Sequence, residues 1–153
     1  MLFAKRILFV IILFSTLIGK SGNISTFHVQ LELTPEATVF VASLPDEEKQ
    51  NWLELIPDSI PLKATCVLKY TNQPSNKLGF KLGSIDGLGD IFEGSFDFTS
   101  TTNSIQHSQS GEIHYFQLGN IKHYKSFTAL AWFSGENGAP LEMVRFVKKG
   151  NNQ

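Results

Sequence analysis

Two regimes of hydrophobic patterning divide the chain. From residue 7 to residue 14 every position is apolar, and the run continues past Ser15 and Thr16 to Leu17 and Ile18. From Phe27 onward apolar residues alternate instead: Phe27, Val29, Leu31 and Leu33 fall on one side, His28, Gln30, Glu32 and Thr34 on the other. A period of two is the pleat of a half-buried β-strand, whose successive side chains point to opposite faces. Pro35 interrupts the pattern, and Ala37, Val39 and Val41 resume it. This predicts one long strand kinked at the proline, or two short strands, near a sheet edge where a missing N–H is tolerated.

The only helical pattern covers residues 45–56. Pro45 suits a first turn, Asp46, Glu47 and Glu48 suit the positive end of a helix, Trp52, Leu55 and Ile56 share a face, and Pro57 ends it. Its expected role is to cap an open end of the β-structure with Trp52. Strand patterns follow at residues 62–70 and, beyond an Asn/Pro/Ser turn, at Leu78, Phe80 and Leu82. After a loop over residues 83–89, Phe92, Phe96 and Phe98 oppose Glu93, Ser95 and Asp97, and residues 99–111 read as a long exposed connection. Strands are expected again at 113–118 and at 127–133, where both faces are apolar and the strand is expected to be covered on both sides. A Gly135-Glu136-Asn137-Gly138 turn leads to a last strand at 141–147.

About seven or eight short strands, spaced by roughly 8–12 residues and separated by Gly, Pro and Asn turns, specify an all-β fold. The expected architecture is a small antiparallel β-sandwich, Ig-like or jelly-roll-like, with one short helix; the alternative is a small β-barrel. The connection at 99–111 favours the sandwich, because a crossing between sheets needs more chain than the tight turns of a meander. The outline is similar to that of secreted fimbrial and surface-structure subunits, a likeness of architecture that many exported domains share.

The opening apolar run has a different meaning. Lys5 and Arg6 precede it, Lys20 follows it, and small residues stand at Gly19, Ser21 and Gly22. This is the form of an export signal. Its length of roughly 12 apolar residues falls short of the roughly 20 that cross a bilayer. The organisation expected is a signal peptide over residues 1–21, cut after Gly19 or Ser21, and one β-rich domain over residues 22–153. The domain is then secreted, periplasmic or extracellular, with no stable membrane span after the signal is removed. Asn23-Ile24-Ser25 is a glycosylation sequon, of use only in a eukaryotic secretory route.

With 13 basic and 14 acidic residues and a net charge of −1, the chain offers no clustered positive field for nucleic acid. Cys66 is the sole cysteine, so no intramolecular disulfide is available, and its alternation with Ala64 and Leu68 places the thiol on the apolar face. Oxygen ligands for calcium could come from Asp86, Asp90 and Glu93 around a Gly-rich turn, although EF-hand spacing is absent. His107, His114 and His123 are spaced too widely for a compact zinc motif, and His114 shares its face with Phe116 and Leu118. No Gly-x-Ser-x-Gly elbow occurs. With 13 Phe against 3 Tyr and 2 Trp, the aromatic residues suit a core better than a sugar-stacking face.

No cofactor is implied by these residues. The leading expectation is an exported, non-enzymatic interaction module that binds a protein partner or its own copies, with Phe27, Val29, Leu31 and Leu33 as the interaction strand. The alternative is a carrier of small apolar ligands with a cavity among its Phe residues; a secreted hydrolase is the least supported.

Overall fold

The computed structural model describes residues 23–84, 89–122 and 126–148, together with the strand pairing of residues 12–13 and 17–18. In chain order the elements are β1 (Ile12–Leu13), β2 (Leu17–Ile18), β3 (Ile24–Leu33), α1 (Pro35–Ala42), a 3-10 stretch (Asp46–Asn51) running into α2 (Trp52–Leu55), β4 (Leu62–Tyr70), β5 (Lys77–Ser84), β6 (Asp90–Asp97), β7 (Gln106–Ser110), β8 (Ile113–Ile121), β9 (Phe127–Ser134) and β10 (Pro140–Lys148). They form two antiparallel sheets, ordered β1-β3-β4-β8-β7 and β2-β10-β9-β5-β6. The fold is the expected small β-sandwich, with eight long strands among the described residues. No helix among these residues is long and apolar enough to cross a membrane.

The alternation along β3 and β4 sets their register. Phe27 lies opposite Leu68, Val29 opposite Cys66 and Leu31 opposite Ala64, so each strand sends its apolar set to the same side. The facing sheet answers with residues graded in size. Ala131 of β9 lies between Phe80 and Val144, and Ala129 between Leu82 and Phe146, so small side chains on the central strand make room for large ones beside it. Phe27 meets Phe146 edge-on at 6.4 Å and Phe80 meets Phe116 at 5.2 Å across the layer. All of these side chains are buried in one cluster.

The proline after β3 starts a helix rather than kinking a strand. Thr34 is extended and accepts a hydrogen bond from the Ala37 N–H at 3.1 Å, Pro35 supplies the first helical φ, and Glu36 sits in the first turn. An N-cap followed by proline outweighs the two-residue alternation of Ala37, Val39 and Val41. Ala37 is accordingly buried and Val39 is 71% exposed. The expected helix at 45–56 is mostly a 3-10 stretch ending in a single α-turn, yet Trp52 and Ile56 are buried in the common core as expected of a cap.

Two other expectations change. The connection at 99–111 does cross between the sheets, from β6 to β7, but it contains a strand and a buried Ile105 and is not exposed throughout. Gln106-His107-Ser108-Gln109-Ser110 carries no apolar alternation because it is an edge strand with a single ring turned inward. On β9, Leu130 and Trp132 are only half-buried, so the outer face is not covered by another layer. Their apolar character has a local cause: Trp132 lies directly over Gly79 of β5, and a Cβ there would overlap the indole.

Candidate functional site

Phe27, Val29 and Leu31 are each no more than 2% exposed, and Leu33 packs against the same core. They complete the sandwich of their own chain, so these four side chains are not free to meet a partner; the backbone edge of β3 is the feature that could. One side of β3 is paired with β4 from Ile24 to Leu33; among the described residues the other side is paired with β1, Ile12 opposite Leu31 and Leu13 opposite Gln30. β10 repeats the arrangement among the described residues: a full ladder to β9 on one side, and on the other Leu17 opposite Phe146 and Ile18 opposite Arg145. The two edges lie together, because Asn23 donates through its backbone N–H and its Nδ2 to the Glu142 carboxylate, at 3.1 and 3.0 Å.

At the opposite margin, where β7 ends the first sheet, two histidines meet. Gln109 lies opposite His114 and His107 opposite Phe116, so the imidazoles are diagonal neighbours on the inner face of a hairpin. His107 Nε2 is 2.9 Å from His114 Nδ1, and the ring planes are 11° apart with centroids 5.2 Å from each other. The excess of the second distance over the first is about the two ring radii, so both nitrogens lie on the line joining the ring centres. This is an in-plane N–H···N hydrogen bond, one ring donating and the other accepting, and not a face-to-face stack.

True stacking flanks the pair. Tyr70 lies against His114 at 4.2 Å and 15°, and Phe116 against His107 at 4.6 Å and 13°. The Tyr70 hydroxyl is 3.3 Å from the same Nδ1, but it approaches from the ring face, where that nitrogen has no lone pair. Phe96 and Phe98 present edges to His107. Burial in this aromatic cage lowers the pKa of both histidines, helped at His114 by the neighbouring His107 charge, and raises that of Tyr70 to about 12. The sequence places His114 on an inner face correctly. His107 and Tyr70 are invisible as its partners, because only the register of three strands brings them to it.

The remaining candidates stay apart. Asp90 Oδ1 is 3.7 Å from Lys81 Nζ, and Glu93 is opposite Lys81 in the β5–β6 ladder, so the two acids face a cation already present on the chain. Asp86 and His123 lie outside the described residues. Among the described residues, no three His, Cys, Asp or Glu side chains are grouped to hold a metal ion. A groove of about 210 Å³ runs over Lys81, Gly83, Asp90, Thr128 and Leu130 on the outside of the second sheet, open to solvent. No protein-family model matches the chain, and no curated protein or solved structure is significantly similar to it.

Proposed function

We propose that this domain is an exported, non-enzymatic interaction module that binds a protein partner, or further copies of itself, by strand addition along the edge shared by β3 and β10. The observation that carries the reading is where the ladders lie: among the described residues both strands are paired throughout on one side, and on the other they pair with residues 12–13 and 17–18. The residues on that second side belong to the apolar run that the sequence marks as an export signal. Cleavage of the signal would remove the pairing that residues 12–13 and 17–18 give to β3 and β10, and a strand edge relieved of its partner is a template for an added strand. The buried side chains of β3 hold that edge straight and in register. The alternative, an apolar-ligand carrier, needs space between the sheets, whereas the grooves described above and at the Pro74–Lys77 turn open outward.

The test uses the domain beginning at Gly22 and a synthetic peptide of residues 7–18 with a lysine tag for solubility. Saturable binding is expected, with backbone amides of β3 and β10 protected from hydrogen exchange. A domain that sediments as a monomer at every concentration, with exchange unchanged by the peptide, overturns the edge reading. The export half is checked by mass spectrometry of protein recovered outside the cytoplasm, which should show a new N-terminus between Lys20 and Asn23; intact Met1 in a soluble cytoplasmic fraction overturns it.

A further inference from the structure

We propose that the His107–His114 hydrogen bond is a proton-operated latch that holds edge strand β7 to the sandwich and releases it on acidification. The inference concerns the margin remote from β3 and holds whatever that edge binds. One proton lies between the two nitrogens at 2.9 Å. One added proton, on the far nitrogen of the donor ring, leaves that bond in place; a second added proton converts the acceptor nitrogen into a donor and sets two N–H groups, and two positive charges, head-on inside an aromatic cage. No arrangement of the rings keeps the bond in that state.

The groups facing the pair leave the second charge uncompensated. From β4 it is Tyr70, neutral across the physiological range; Lys69 alternates to the other face and pairs with Glu112 at 3.2 Å. From β6 and the following crossover they are Phe96 and Phe98, while Asp97 turns away and its carboxylate accepts hydrogen bonds from Thr99. From β8 it is Phe116, and from β9 Phe133 reaches only Tyr70. Burial and the other histidine are what shift these two rings; no carboxylate contributes.

The direction follows from linkage. Each histidine titrates lower in the folded protein than the ordinary value of 6.5, so the open state binds more protons. The closed arrangement is fully favoured above 6.5 and loses ground as the pH falls from 6.5 toward the lower folded value. β7 is the element that yields, because it is five residues long and is paired on one side alone, to β8. Its departure would uncover Phe96, Phe98 and Phe116, an apolar surface offered only in acid.

Hydrogen exchange of the intact domain at pH 7.5 and pH 5, corrected for the intrinsic rate, tests this. Amides of residues 106–110 should lose protection at the lower pH, while β4 and β9 hold theirs. His107→Gln keeps a hydrogen-bonding side chain that cannot be charged, and it should abolish the pH response; His107→Phe should do the same by packing alone. His28 also titrates low through burial but alternates to the outer face of β3, so His28→Gln should leave the β7 response intact. Unchanged β7 protection at pH 5, or a response that persists in His107→Gln, overturns the proposal.

Discussion

Cys66 stands between Val29 of β3 and Phe116 of β8 in the register of the first sheet, and its side chain is fully buried. Burial pushes its thiol pKa up, so the reactive thiolate is suppressed. A bulky thiol reagent should therefore label the native domain only after denaturation, and Cys66→Ser should cost roughly 1–3 kcal/mol in a denaturant titration, because a hydroxyl then replaces a small apolar group in a fully buried site. Rapid native labelling would mean that the faces of β4 are reversed. This residue was legible because its position depends on one strand's alternation. The His107–His114 bond was not, since two imidazoles seven residues apart meet only if the intervening turn sets the hairpin register that places His107 diagonally across from His114.

At the level of elements, strands with a clean alternation and one buried face were legible nearly to the residue, β4 above all. Two elements were misread for opposite reasons. In α1 a genuine two-residue alternation was overruled by capping chemistry at Thr34, which also donates to the Pro61 carbonyl at 2.8 Å and so fixes where the helix leaves the sheet. In β7 no alternation existed to be read, because an edge strand with only His107 turned inward needs none. The pairing of β5 with β9 yields a prediction. Gly79→Ala puts a methyl where the Trp132 indole now lies, and the ring must swing away. A loss of roughly 1–3 kcal/mol is expected, with the Trp132 indole N–H resonance shifted and that of Trp52 unmoved. Unchanged stability and spectra would show that the indole does not rest on that glycine.

For the molecule as a whole, the choice between sandwich and barrel turned on the crossover after β6, which carries the chain from the margin of one sheet to the margin of the other. That much could be argued from the length of a polar segment; the meeting of β3 with β10 could not, since no local pattern encodes it. Asn23 bonds to Glu142, 119 residues away, and Phe27 packs on Phe146 at the same sequence offset, so the first and last long strands run side by side in one direction. Val144 and Phe146 are wholly buried there. At about 1.5–3 kcal/mol for each large side chain, β10 supplies much of a domain margin of about 5–15 kcal/mol. A chain ended before Pro140 should thus be digested by protease as an unfolded polypeptide, and one carried through Lys148 should resist; equal resistance would refute the dependence. Because that contact spans nearly the whole domain, the core cannot shut while the chain is still being synthesised. A ribosome would present strands β3 to β9 as an open, unlocked polypeptide until the last one emerged.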